Sequence, residues 1–374
     1  MRENLEFREK MLERGRKNDT AAENLWIACK RDPLFWLATF GWTYEARNTM
    51  QPRLVPVLLA EYEGLVFDAI RQAIEGHFDL VVEKSRDMRV TWTVLRLFLW
   101  MAAFQPYTSF LAASRADALV DKAEDPDTLF WKLDFTLQHL PAFLRPQVER
   151  TNNHFYFRAT KSTIDGRATT GDLSAGGRRL AIFLDEAARM PHFKDILAAT
   201  ADVTDSRLFI STAQAGHPFR ELAQSDIAKL RLLWTLSPAK GAGLYTSKDG
   251  VPILLDTKYP FPREYPFIVR STERIEHHDG KLRSPWYDKQ CRRRKSKKEV
   301  AQEIDIDYLA AGSQFFDQEV LDRMMMESVR PPLHRGRLHY DAQTLEPKYW
   351  IEDERGPLCL WFHPDGRGLP PADG

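Results

Sequence analysis

The chain has 374 residues, 43% of them hydrophobic and 28% charged, enough for one large domain or two modest ones around a buried core. Its 53 basic and 53 acidic side chains cancel, which excludes a global field drawing it to nucleic acid; such a contact needs a local patch or an oligomeric ring. No apolar run approaches the ~20 residues of a membrane helix, and the distant cysteines Cys29, Cys291 and Cys359 show no metal spacing and read as those of a reducing cytoplasm. Residues 1–50 read as a charged, helical segment packed on a core, with Leu5, Met11, Leu12, Leu25, Trp26 and Ile27 as packing positions and Asp32-Pro33 as punctuation. The centre then alternates strand and helix. Strands are expected at 80–83, 109–113, 154–157, 180–184 and 208–211, and helical patterns at 91–104, 127–140, 192–203 and 219–230. Near-continuous apolar strands suit a mainly parallel sheet covered on both faces, an α/β fold. After Trp234 the pattern loosens, and 237–265 is loop-rich. His277-His278 beside Asp279-Gly280 reads as a solvated turn. The basic run 292–298, followed by Glu299, Glu303, Asp305 and Asp307, reads as a solvated helix face. Residues 331–374 read as an extension or linker.

Two segments carry chemistry. In Asp79-Leu80-Val81-Val82-Glu83-Lys84-Ser85-Arg86-Asp87-Met88-Arg89-Val90-Thr91-Trp92 an apolar run enters a short polar loop that opens an apolar-periodic helix. That is the outline of strand, phosphate loop and helix, in which amides and cations hold phosphates and a hydroxyl holds Mg²⁺. About a hundred residues later, Leu180-Ala181-Ile182-Phe183-Leu184-Asp185-Glu186 is an apolar strand ending in two acids. One acid can hold Mg²⁺ and the other can orient the attacking water. Each piece alone has an ordinary explanation, a charged turn or a helix cap. In this order they point to a P-loop ATPase.

The loop departs from G-x-x-x-x-G-K-[ST]. Aligned on Thr91, Lys84 and Arg89 stand at the glycine positions and Val90 at the lysine position. A lysine displaced to the start of the loop and followed by Ser-Arg resembles the deviant Walker A of phage large terminase subunits, the motors that pump DNA into empty heads. Asp32-Pro33-Leu34-Phe35-Trp36, Phe40-Gly41-Trp42-Thr43-Tyr44, the run Asp125-Pro126-Asp127-Thr128-Leu129-Phe130-Trp131-Lys132, Ser162-Thr163-Ile164-Asp165-Gly166, Gly176-Gly177-Arg178-Arg179, Ser211-Thr212-Ala213 and Arg283-Ser284-Pro285-Trp286 follow in an order similar to that family's. The resemblance covers nearly the whole chain.

It implies a P-loop NTPase sheet of the ASCE or RecA-like kind over 51–330. ATP would be held by Lys84, Ser85, Arg86, Asp87, Met88, Arg89, Val90 and Thr91, with Tyr62 and Glu63 at the adenine. Mg²⁺ would sit on Thr91 and Asp185. Glu186 would activate water, with Arg86 and a finger arginine assisting the chemistry. Arg178 is preferred over Arg115 as that finger, because Gly176-Gly177 allows an adjustable loop. Ser211 and Thr212 would couple hydrolysis to movement. The implied partners are double-stranded DNA, a portal protein and a small terminase subunit, with no membrane. The chain would be a monomer alone and a ring on the portal, in the host bacterial cytoplasm and transiently on the prohead. A nuclease domain follows in that family, and no acidic cluster for one is expected within this chain. Two departures bear on activity. An ionised Glu63 can only accept hydrogen bonds, which weakens base selectivity. Arg89 carries a steric cost if its φ is positive. The alternatives are an impaired terminase remnant serving as a scaffold, and another P-loop nucleic-acid translocase.

Overall fold

A computed structural model describes residues 2–45, 54–169, 177–269, 280–294, 296–308, 310, 330–341, 344 and 346–363. His277-His278, Gly176 and the last eleven residues lie outside the described residues. The chain divides into two units, 1–313 and 314–374.

The first unit opens with α1 (Arg2–Lys17), α2 (Asp19–Arg31) and α3 (Pro33–Phe40). Asn18 caps α2 by accepting from the Ala21 amide at 2.8 Å, and Asp32 caps α3 by accepting from Phe35 at 2.8 Å, with Pro33 in the first turn. A small antiparallel pair, β1 (Trp42–Tyr44) and β2 (Leu54–Pro56), leads to α4 (Glu61–Glu75). The centre runs β3 (Leu80–Lys84), α5 (Val90–Phe104), β4 (Ser109–Ser114), α6 (Asp117–Val120), α7 (Leu129–Gln138), β5 (Val148–Thr151), β6 (His154–Phe157), β7 (Ser162–Ala168), β8 (Ala181–Asp185), α8 (Phe193–Ala201), β9 (Arg207–Ser211), α9 (Pro218–Gln224) and β10 (Ala228–Leu232). These strands form one eight-stranded sheet in the order β10-β3-β9-β8-β4-β7-β6-β5. The first six in that order run parallel; β6 and β5 close one edge antiparallel.

Period-2 alternation gives the sheet two dry faces. Leu80, Val82, Phe110, Ala112, Phe183, Leu208 and Ile210 pack with α4, α5 and the N-terminal helices, whereas Val81, Leu111, Ile182, Leu184 and Phe209 pack with α8 and α9. The expected mainly parallel α/β sheet, covered by helices on both faces, is the observed fold. In it β9 stands between β3, which feeds the loop 85–89, and β8, which ends in acids.

Two expectations for the central sheet change. The helix expected at 219–230 ends at Gln224, and Ala228–Leu232 is instead a parallel edge strand on β3. Lys229 and Arg231 are exposed and Leu232 is buried, so its polar face looks helical in sequence. Ser162–Ala168 is a further strand, beside β4.

Beyond the sheet, α10 (Pro238–Gly241), the hairpin β11 (Tyr245–Lys248) and β12 (Val251–Leu254), α11 (Pro285–Arg293) and α12 (Lys297–Val300) follow, and the last runs into a π-helical turn, Ala301–Asp305. Arg292, Arg293, Lys297 and Lys298 of the basic run are exposed, as a solvated face requires. In the second unit, β13 (His334–Tyr340), β14 (Pro347–Glu352) and β15 (Leu358–Leu360) form an antiparallel sheet in the order β14-β13-β15 where composition predicted a linker. Among the described residues no helix is long and apolar enough to cross a membrane, and all three cysteines are free.

Candidate nucleotide site

Parallel strands bring their C-terminal ends to one edge, so the segments after Lys84, Ser211 and Asp185 meet there. The loop 85–89 leaves β3 and feeds α5. Asp87 and Arg89 hold left-handed backbone, at φ of 59° and 56°. A non-glycine residue in that region costs about 1–3 kcal/mol and persists where its surroundings over-determine it. The steric condition set for Arg89 is therefore met. Among the described residues, the amides of Met88, Arg89, Val90 and Thr91 meet no acceptor, as at the start of any helix. They form a donor set of the kind that binds phosphate.

The Thr91 hydroxyl donates to Asp185 Oδ1 at 2.9 Å, so two residues 94 apart in sequence face one point. Burial raises the Asp185 carboxyl above the ordinary carboxylate range; the Lys84 ammonium, the Thr91 bond and the Lys132 ammonium act against that rise. Lys132, on α7, is a cation that sequence reasoning left without a role. It donates to the carbonyls of Asp127 and Thr128 at 2.7 and 2.9 Å, and burial lowers its ammonium against the pull of Asp185. Glu186 also has left-handed backbone, at φ 55°, and its carboxylate is 43% exposed and 3.7 Å from the Arg115 guanidinium. The Ser211 hydroxyl accepts from the Ala188 amide at 3.1 Å, linking the end of β9 to the turn after the acidic pair. Thr212 beside it is buried.

Several expected site residues are otherwise engaged. The Ser85 hydroxyl is fully buried; it donates to Ile304 O at 2.5 Å and accepts from Trp234 N at 2.9 Å, so it anchors the loop and has no path to a phosphate. Arg86 is half exposed and paired at 3.0 Å with the buried carboxylate of Glu303, which Arg189 also contacts. Tyr62 lies in the main core, and burial together with Glu63 pushes its phenol up to about 12, so its ring is not presented to a base. Glu63 is buried; one oxygen accepts from the Ala60 amide at 2.9 Å, capping α4, and the other faces Arg89 at 3.7 Å. The two departures from the resembled pattern thus meet each other. Met88 is buried under the loop. Arg178 is exposed and precedes β8, at the opposite end of that strand from Asp185, whereas Arg115 reaches Glu186. Glu303, Arg189 and Lys132 carried no local signal beyond their charge.

No family model and no curated protein matches the chain. The chain is similar to solved structures of phage large terminases. One is the large terminase of the thermophilic bacteriophage D6E in complex with ADP, at 14% identity and a TM-score of 0.35, over 47% of this chain and 46% of that one. A second is the HK97 bacteriophage large terminase, at 12% identity and 0.42, over 79% of this chain and 59% of that one. A third is the ATPase domain of the Thermus phage P74-26 large terminase, at 14% identity and 0.41, over 65% and 92%. The chain thus spans about half the length of the D6E protein. Its fold rests on its own strand order and register.

Proposed function

We propose that this chain is the ATPase part of a phage DNA-packaging motor, a large terminase, which hydrolyses ATP to move double-stranded DNA into a prohead. The observation that carries the reading is the 2.9 Å bond from the Thr91 hydroxyl to the Asp185 carboxylate, beside open amides at the start of α5. The donor set fits a Mg²⁺-bound nucleotide: one hydroxyl and one carboxylate face each other, and Mg²⁺ is commonly held by one or two such groups plus phosphate oxygens. When bound, that ion neutralises charge on the transferring phosphoryl group. The chain supplies the rest. Lys84 and the amides of 88–91 hold phosphate, Thr91 and Asp185 orient the ion, and Glu186 draws the proton from the attacking water. The Ser211 hydroxyl, bonded to the Ala188 amide two residues after Glu186, would be a route for coupling through β9. The portal, the small subunit, a ring of copies and a host-cytoplasmic site belong to the same proposal.

A DNA-stimulated ATPase assay tests it. Mg²⁺-dependent phosphate release that rises with linear duplex DNA supports the motor; no release under any DNA load removes it. Two observations favour the impaired remnant: Arg89 is left-handed at a glycine position, and one Glu63 oxygen is taken by the Ala60 amide. Under that reading the chain binds partners and turns over no ATP.

A further inference from the structure

Lys240 belongs to the short turn α10, 154 residues after Arg86 of the phosphate loop, yet its side chain ends against that loop. Its ammonium donates to the carbonyl oxygens of Arg86 at 2.5 Å and Asp87 at 2.8 Å, and it lies 3.6 Å from Met88 Sδ. The residue is 8% exposed, and the ammonium sits 4.9 Å from the centre of the Trp286 ring. The backbone of Lys240 is fixed as well, since its own carbonyl accepts from Ser284 Oγ at 2.6 Å. A buried cation is thus spent on the backbone of a loop that already carries Lys84 and Arg86.

In a trans peptide the C=O and the following N–H point in opposite directions. Gathering the carbonyls of Arg86 and Asp87 on one ammonium therefore turns the amides of Asp87 and Met88 away from it. The amides of Arg89, Val90 and Thr91, which meet no acceptor among the described residues, follow directly at the start of the helix α5. A run of amides facing one way, with left-handed residues between them, is an anion nest. Glycine ordinarily gives a loop the freedom to adopt such backbone. This loop contains no glycine, and its two left-handed residues are Asp87 and Arg89.

We propose that Lys240 is a positioning residue for nucleotide phosphate: by holding the carbonyls of Arg86 and Asp87 it keeps the glycine-free loop in its phosphate-binding conformation. The proposal deepens the nucleotide reading of the site and rests on it. Lys240 touches no phosphate itself. It stands in for the conformational freedom that glycine would give.

The test uses the full chain and its Lys240→Met and Lys240→Arg variants. Two quantities are read: the dissociation constants of Mg·ATP and of inorganic tripolyphosphate, which lacks the nucleoside, and hydrogen exchange of peptides covering 85–91 against those covering β8 and β9. Lys240→Met should weaken both ligands in parallel by about tenfold, as when the binding-competent loop falls to about a tenth of the population. It should quicken exchange at 85–91 and leave β8 and β9 protected. Lys240→Arg should recover most of both losses. Unchanged exchange at 85–91 in Lys240→Met overturns the proposal, as does equal affinity for both ligands. So does loss of protection across the whole sheet in both variants, which would make Lys240 a general structural support. A parent chain that binds neither ligand removes the nucleotide reading, while the exchange measurement still decides whether Lys240 shapes the loop. A parent that binds, alongside a Lys240→Met variant that binds equally well, removes Lys240 alone.

Discussion

Asp185 is asked to be half-buried among apolar strands and charged at once, and the two demands have opposite signs. Burial raises its carboxyl, so the ionised form that Mg²⁺ needs is lost at a higher pH than for an ordinary carboxylate. Nucleotide binding should fall on the acid side from that higher pH. Stability runs the other way: a folded value above the unfolded one contributes stability below the unfolded value, and that contribution disappears as pH rises through the folded one. Asp185→Asn should therefore raise the melting temperature at neutral pH while removing Mg²⁺-dependent ATP binding, checked by thermal unfolding and titration; a lower melting temperature would mean the ionised carboxyl stabilises the fold. Glu186→Gln should cut turnover by roughly 10²–10⁴ and leave ATP affinity largely intact, because a general base acts on the transition state. Equal turnover would take Glu186 out of the mechanism. Arg89→Gly relieves the left-handed strain at φ 56° and gives up a half-exposed ion pair with Glu63. Lys84 already supplies a cation at the loop, so affinity and turnover should rise together. Weaker ATP binding by that variant would instead place the Arg89 guanidinium on phosphate.

The elements that build the sheet were legible, and the reason is periodicity. Strands expected at 80–83, 109–113, 154–157 and 208–211 are found within one residue at each end, because the apolar runs of three are buried on both faces and that of 154–157 alternates buried and half-buried. The strand ending in Asp185 and the loop between β3 and α5 were placed by the same signal. What escaped was set by tertiary contact. The edge strand β10 buries one side only, and its Lys229 and Arg231 fit a helix pattern equally well. The π-helical turn Ala301–Asp305 had no local signature, yet it holds the loop 85–89 through Ser85, the Arg86 amide and the Glu303 carboxylate, partners more than 200 residues away. That turn carries its own titration. Burial pushes Asp305 up to about 6, against the opposing hydrogen bond from the Tyr287 hydroxyl at 2.9 Å. Its contribution to stability is present below the unfolded value of ~3.9 and is lost as pH rises through about 6. Asp305→Asn should flatten the pH dependence of urea unfolding between ~4 and ~7. A slope equal to the parent's would assign that dependence to other groups.

At the scale of the whole molecule, the decisive placement is Arg178. The β8 strand, five residues long, spans roughly 16 Å, and Arg178 precedes it while Asp185 ends it. An exposed arginine there cannot reach the phosphates of its own chain, so any catalytic role must be played on a neighbouring copy. Arg115 is the reverse case, since it already lies 3.7 Å from the Glu186 of its own chain. Complementation separates the two. Lys84→Ala should lose nucleotide affinity and keep its finger; Arg178→Ala should keep affinity and lose DNA-stimulated turnover. Mixing the two inactive variants at concentrations where copies assemble on DNA would then place an intact Arg178 against an intact phosphate loop in some pairs. Turnover should reappear in the mixture, rise with protein concentration, and vanish on dilution. A finger supplied in trans is commonly worth 10³–10⁵ in rate, so even a minority of correct pairs is measurable. Arg115→Ala mixed with Lys84→Ala should show no recovery, because the working loop and the missing arginine then lie on the same chain. Recovery with Arg115→Ala and none with Arg178→Ala would reverse the assignment and make Arg115 the finger.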